Sequence, residues 1–210
     1  MKKVLKVGLP IGLVALSAAS FNATADVRIN GFASFVAGQT LSEDETYLGY
    51  SNDLSFSNES IFALQATADL GDGLSATAQI VSEGADGFNT KFAWAYMSYE
   101  MSDYTTVRAG RLRLPFYLYS DYLDVGYAYP WVRPSNAMYN LPFSNYDGVS
   151  VLHNKLVGDW DFTFNFLAGE LKDTFFKETS PTEGALTDVL GLATTFSYDF
   201  FSGYVTYIVA

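Results

Sequence analysis

Charged side chains gather in one stretch of the chain, where they could act on ions. Three arginines lie at the end of a segment in which apolar and polar residues alternate. Two aspartates and a further arginine follow in a region without this alternation. The six residues are Arg108, Arg111, Arg113, Asp121, Asp124 and Arg133. Charged groups that ring a water-filled passage select ions by charge. We predict that these residues shape a pore constriction. An equal alternative is that the arginines only anchor a loop through salt bridges at the end of a strand.

No residues show the pattern of a catalytic or metal site. The chain has one histidine, His153, and no serine in a G-x-S-x-G motif, so no nucleophile with an adjacent base is evident. The acidic run 42–45 and the pair Asp121 and Asp124 lack the ligand spacing of a calcium loop. We therefore expect a protein that is not an enzyme and that uses neither a metal nor a cofactor.

The stretch that carries most of these charges, residues 112–146, is predicted to be one long loop. It contains Pro115, Pro130, Pro134 and Pro142, and prolines are excluded from central strands. It also contains six tyrosines from Tyr117 to Tyr139, which suggests that the loop packs against another part of the protein. Structureless loops of this length are usually functional.

Alternating residues on both sides of the loop predict the strands that position it. The clearest unit spans residues 60–81, in which apolar and polar residues alternate on either side of Gly71, Asp72 and Gly73. A period of two around a glycine-rich turn indicates a β-hairpin. Further strands are predicted at 27–41, 92–101, 105–111, 148–156, 160–169, 190–200 and 204–209, with turns at 102–104, 157–159 and 201–203 and charged loops at 42–50 and 171–187. The count is about nine.

Composition and strand length favour a transmembrane barrel over a soluble sandwich. Apolar residues make up 49% of the chain, yet no apolar run after residue 26 is long enough for a spanning helix. Several strands have about ten residues, with very short turns at one end and long loops at the other. We predict an all-β, transmembrane antiparallel up-and-down β-barrel. In it Arg108 faces the lumen, because Val107 and Ala109 suit lipid.

The first 25 residues are predicted to be a cleaved signal peptide. Lys2, Lys3 and Lys6 precede a short apolar run, and Ala23-Thr24-Ala25 is a cleavage-site pattern, which places the barrel domain at 26–210. A retained N-terminal anchor is the alternative. Removal of these three lysines takes the net charge from −11 to −14, which argues against nucleic acid as a partner. Acidic outer loops explain this charge more simply than a cation-selective pore.

The predicted barrel is expected to be incomplete. Nine is an odd count, whereas bacterial single-chain barrels have even strand numbers. The last predicted strand is shorter than the 9 to 11 residues that cross a bilayer, and the chain ends on Val209 and Ala210 instead of an aromatic residue. The alternative is a complete eight-stranded barrel.

Five motifs, in their order and spacing, resemble the general bacterial diffusion porins. They are VRINGF at 27–32, ADLGDGL at 68–74, AYMSY at 95–99, VRAGR at 107–111 and NYDGV at 145–149. The resemblance covers residues 27–210. It implies a trimeric 16-stranded barrel in the outer membrane, in contact with lipid and lipopolysaccharide. It also implies a third loop that narrows the pore, passive diffusion of ions and small hydrophilic solutes, and no catalysis.

The chain departs from that family at the arginine ladder of its enterobacterial members. Two ladder positions correspond to Ile61 and Ala93, and the family's first-strand lysine corresponds to Phe32; none of these residues is basic. The transverse electric field of the family's constriction is therefore not expected here. Two functions remain: a passive diffusion pore, or a small closed eight-stranded barrel with a structural or adhesion role.

Overall fold

The computed structural model describes residues 26–128, 139, 144–177 and 180–210, and for 172–177 and 180–185 it describes the backbone alone. The predicted signal peptide and Arg133 lie outside the described residues. Within them there is no helix long and apolar enough to cross a membrane.

Nine antiparallel strands form a single sheet, which confirms the all-β prediction and the count. Each strand pairs with its neighbours in the sequence, so the topology is up-and-down throughout. The strands are β1 (Asp26–Ser34), β2 (Ile61–Gly71), β3 (Leu74–Glu83), β4 (Thr90–Ser102), β5 (Thr105–Arg113), β6 (Asn145–Val157), β7 (Trp160–Lys177), β8 (Ser180–Tyr198) and β9 (Phe201–Val209). Over the described range β1 and β9 do not pair with each other, so the sheet is open. A closed eight-stranded barrel is therefore not the observed architecture.

The hairpin predicted from the clearest alternation is confirmed. Strands β2 and β3 pair residue by residue from Ile61 and Glu83 to Asp69 and Ser75. Gly71, Asp72 and Gly73 all have φ between 51° and 84°, a region that glycine enters at little cost. The β4–β5 and β6–β7 hairpins are also confirmed.

Three predicted boundaries were wrong. Strand β1 ends at Ser34 instead of residue 41, because Val36 donates its N–H to Oγ of Ser60 and the chain then pairs with itself at Gly38 and Ser55. The charged segment 171–187 is not a loop: after a bulge at Gly169 the β7–β8 pairing continues to its last residues. The final turn lies at 199–200 and not at 201–203, because Tyr198 pairs with Phe201.

The two faces of the sheet differ sharply in polarity. Register and the two-residue period place Thr67 and Thr77 together on one face, and Ser98, Arg108 and Ser150 together further along it. The opposite face carries large apolar residues that are exposed along most of the strands. They include Val27, Ile29, Leu64, Met97, Val149, Phe166, Leu190, Val205 and Tyr207. A solvated sheet face is normally polar, so this outer face is unusual for a protein in water.

A row of glycines crosses the polar face at the centre of the sheet. Gly110, Gly148 and Gly169 are register partners on β5, β6 and β7. A Cβ atom on Gly148 would lie 2.1 Å from the carbonyl oxygen of Ala168, so no larger residue fits. Beside this row the largest buried cluster forms from Leu112, Leu114, Tyr146, Leu167, Leu171 and Val189.

Candidate functional site

The segment that follows β5 lies against the polar face of the sheet. Asp121, Asp124 and neighbouring loop residues share one cavity with Asn30 of β1 and Gln65 of β2. Further along the sheet, Tyr204 of β9 donates its hydroxyl hydrogen to the carbonyl oxygen of Pro115. The loop therefore reaches from the first strands of the sheet to the last one, and it covers the face that carries the polar side chains.

Arg113, the last residue of β5, holds the loop in place. Its Nε donates to the carbonyl oxygen of Ser120 at 2.8 Å, and its Nη2 donates to Oδ2 of Asp124 at 2.6 Å. The guanidinium carbon also lies 5.9 Å from the centre of the Trp94 ring. Because the side chains of this ion pair are mostly buried, water screens it weakly. Arg113 and Asp124 thus show the loop-anchoring arrangement that the sequence left open.

Arg108 and Asp121 belong to the same interior space. Arg108 packs against Tyr96, with 5.5 Å between its guanidinium carbon and the ring centre, and it lines a second cavity of about 180 Å³ that also contains Asp121. The loss of water around Asp121 raises the pKa of its carboxyl, and the charges of Arg108 and Arg113 oppose this rise. The buried Nε of Arg108 has no hydrogen-bond partner within the described part of the chain.

Arg111 is not brought together with the other predicted charges. It forms a two-pronged ion pair with Asp147, with both N–O distances at 2.9 Å and both side chains about 40% exposed. Its neighbours are Lys91, Phe92 and Asn145, which line a separate cavity. The structure therefore groups Arg108, Arg113, Asp121 and Asp124, and it places Arg111 apart from them, in its ion pair with Asp147.

The two residues aligned with ladder arginines, Ile61 and Ala93, and the one aligned with the first-strand lysine, Phe32, belong to one apolar cluster. Ala93 is buried with Ala63 and Val81, and Phe32 and Ile61 pack against them. This part of the wall offers no charge to a solute.

Next to this cluster, three amide side chains and the indole of one tryptophan form a row that was not predicted from the sequence. Asn30 pairs in register with Gln65, Gln65 with Gln79, and Gln79 with Trp94. All four residues line the cavity of about 190 Å³ that Asp121 and Asp124 close from the loop side. A signal was present in the sequence, since the alternation puts Gln65 and Gln79 on the polar face of the first hairpin, at equal distances from its turn. The row is called the amide row below.

Tyrosines of the loop contact one another. Tyr139 lies 4.8 Å from Tyr117 and 6.0 Å from Tyr119 between ring centres, and Tyr119 lies 5.4 Å from Tyr122. Burial raises the pKa of the Tyr122 and Tyr139 hydroxyls. These groups are therefore neutral hydrogen-bonding groups at physiological pH.

The remaining candidates have ordinary structural surroundings. Nδ1 of His153 lies 2.9 Å from the hydroxyl of Thr105 on the neighbouring strand. Across the described ranges no three His, Cys, Asp or Glu residues are close enough to hold a metal ion.

Comparison with known proteins assigns the chain to no family. No family model matches it, and no curated protein does. One similar solved structure is OmpTdeltaL8, a loop L8 deletion mutant of OmpT, which is an outer membrane protein of Vibrio cholerae. It is 11% identical over 89% of this chain and 70% of that chain, with a TM-score of 0.41. A likeness of this size assigns no activity.

The comparison does correct one expectation from the sequence. We expected the chain not to be an enzyme, in part because the general porins that it resembles only let solutes diffuse across the membrane. The name OmpT is also that of an outer-membrane protease, so a barrel of this class does not by itself exclude catalysis. The exclusion of an enzyme is therefore withdrawn.

Proposed function

We propose that this chain forms the wall of an outer-membrane β-barrel pore of the general porin type, through which ions and small hydrophilic solutes diffuse. The observation that carries the proposal is the two-faced sheet. Its outer face exposes large apolar side chains, and its inner face carries polar ones beneath the loop. This is the pattern of a barrel with lipid outside and water inside.

Exposure on the outer face supports the lipid contact. Ile29, Leu64, Val205 and Tyr207 are between 57% and 71% exposed, and they lie on strands at both ends of the sheet. In a soluble protein so much exposed apolar surface would mark an interface or an aggregation site. In a bilayer the same surface is favourable, because lipid tails solvate it.

The loop on the polar face supports a pore over a small filled barrel. The segment from Pro115 to Tyr127 occupies the interior side of the sheet, and cavities of about 190 and 180 Å³ remain beside it. An eight-stranded barrel has an interior that side chains fill, whereas about 16 strands leave an aqueous channel. A loop of this length needs the wider lumen.

The same reasoning extends to assembly and location. We propose a homotrimer in the outer membrane, in contact with lipid and lipopolysaccharide, because these go with the porin type that the sequence motifs resemble. Chemical cross-linking of the purified protein and separation of inner and outer membranes test the two statements independently.

Conductance tests the function itself. The full-length gene product is refolded in detergent and added to planar bilayers, and stepwise ohmic current increments are expected. Swelling of liposomes in isotonic sugar solutions should fall steeply with increasing solute size. A protein that inserts, as shown by protease protection, but carries no current would overturn the proposal.

A further inference from the structure

The amide row is a hydrogen-bonding surface built across four adjacent strands. Asn30, Gln65 and Gln79 each offer a carbonyl oxygen and an NH₂ group, so every position can both accept and donate. Trp94 extends the row with a donor, and its buried Nε1 has no hydrogen-bond partner among the residues that the structure describes. Gln79 is 4% exposed, so its amide is held within the packed wall.

The opposite side of the same cavity is contributed by the loop. Asp121, Tyr122, Asp124 and Tyr127 complete the lining of the space of about 190 Å³. This volume is below the roughly 300–1,000 Å³ of sites for drug-sized ligands, and it suits one small ring. The two tyrosine rings provide flat apolar surface beside the polar groups.

The charges around the cavity balance one another. Asp124 is already bound by Arg113, and Asp121 lines a cavity with Arg108 and Arg113, whose charges both act on its carboxyl. A cationic solute would have to compete with Arg113, and an anionic one would meet both carboxylates. The surroundings therefore favour a neutral solute rich in hydroxyl groups.

We propose that the amide row and the facing loop form a binding subsite for a neutral sugar in its ring form, of the size of one hexose. The amides of Gln65 and Gln79 exchange hydrogen bonds with ring hydroxyls, the Trp94 ring forms part of the wall, and Tyr122 and Tyr127 cover the apolar C–H face. This subsite rests on the proposed pore function, because it lies on the face of the sheet that the proposal assigns to the lumen.

Binding is tested on the refolded full-length protein in detergent, by titration of D-glucose against tryptophan fluorescence. The chain has three tryptophans, and Trp94 lines the site. The double variant Gln65→Leu/Gln79→Leu should weaken glucose binding by about 30-fold, since two hydrogen bonds worth roughly 1 kcal/mol each are lost. The matched control is Thr67→Val/Thr77→Val, on the same strands and the same face but outside the cavity, where the two hydroxyls bond each other at 3.2 Å. It should bind within about twofold of the parent.

Equal glucose affinity in the parent and the Gln65→Leu/Gln79→Leu protein overturns the subsite, as does the absence of saturable binding to the parent. Tighter binding of methylamine than of glucose at the same site overturns it too, because a cation site would be indicated. The heat-dependent shift in gel mobility shows whether the double variant refolds. If it does not refold, the single variant Gln79→Met is tested instead.

Liposome swelling run in parallel separates this proposal from the pore proposal. A protein that conducts but does not bind glucose saturably retains the pore and loses the subsite. One that binds glucose in detergent but conducts nothing retains the subsite and loses the pore.

Discussion

Nη2 of Arg113 lies 2.6 Å from Oδ2 of Asp124, and this contact joins the last residue of a strand to the loop that immediately follows it. The same guanidinium donates to the carbonyl oxygen of Ser120. One side chain thus fixes the path of the loop over its first turns. The direction in which the loop enters the interior is therefore set locally, before the loop meets the distant wall.

Replacement of Arg113 by alanine should release this part of the loop. Hydrogen bonds to charged groups contribute about 1.5–3 kcal/mol when they are shielded from water. We expect faster cleavage of the native protein by protease between residues 114 and 128, and noisier single-channel currents. Arg111→Ala is the matched control, because its ion pair with Asp147 is exposed and worth at most about 1 kcal/mol. Equal protease sensitivity of the two variants would count against a loop anchor.

Replacement of Arg108 by alanine should shift the pore toward cations. The side chain lines the same interior space as Asp121, and its removal leaves that carboxylate with less positive charge nearby. The measurement is the reversal potential in a gradient of potassium chloride, with Arg108→Lys as the control that keeps the charge. An unchanged reversal potential and conductance in the alanine variant would show that Arg108 has no role in the pore.

Ion selectivity should depend on pH through Asp121. Partial loss of water raises the pKa of this carboxyl above its ordinary value, although the residue is exposed, so its negative charge appears only at a higher pH than in a free aspartate. Cation preference should therefore rise with pH over a window that lies above pH 3.8. Asp121→Asn should remove this step, whereas Asp72→Asn, in the exposed β2–β3 turn, should leave it intact.

The raised pKa of Asp121 also affects the stability of the folded protein. A raised pKa in the folded state means that folding favours the protonated form. The stabilising contribution of Asp121 is full below the pKa of the unfolded chain, and it is lost as pH rises through the pKa of the folded protein. Asp121→Asn should flatten this part of the urea-unfolding profile against pH, and a profile that matches the parent would contradict the assignment.

A charge on the outer face should oppose insertion into a bilayer. Leu64 is 57% exposed there, and an arginine near the midplane of a bilayer costs about 2–4 kcal/mol. Leu64→Arg should lower the free energy of unfolding in lipid vesicles by this amount. Gln65→Arg changes the next residue at the same depth but on the opposite face, so it should cost much less. Similar costs for the two variants would contradict the assignment of lipid and lumen faces.

Hairpins with short turns could be predicted from the sequence because their information is local. Alternation fixes which residues share a face, and a turn such as Gly71-Asp72-Gly73 then fixes the register of both strands. The same alternation predicted that Arg108 lies on the opposite face of the sheet from Val107 and Ala109. In the structure Arg108 lines a cavity together with loop residue Asp121.

The predictions failed where backbone pairing between strands, and not the composition of the side chains, determines the structure. Residues 171–187 are charged and were predicted to be a loop, yet their backbone continues the β7–β8 ladder, because a strand in water needs no apolar alternation. The segment after Asp199 was misplaced because no glycine marks its turn, although Asp199 adopts a positive φ of 52°.

The alternation places Gln65 and Gln79 on one face, but the rest of the amide row and the loop residues that face it could not be predicted from the sequence. The alignment of the row with Trp94 depends on a bulge between Gln79 and Ile80, which shifts the register of β4 by one residue. The facing loop residues are set by tertiary contacts such as that of Tyr204 with Pro115. Neither feature has a pattern that can be read along a single strand.

The row of glycines at Gly110, Gly148 and Gly169 makes one strip of the wall unusually thin. Without Cβ atoms, three neighbouring strands approach within the space that side chains would otherwise keep. Such a strip bends more easily than the wall on either side, so the curvature of the sheet should concentrate there. The cross-section of the enclosed space would then be angular instead of round, with its corner beside the start of the loop.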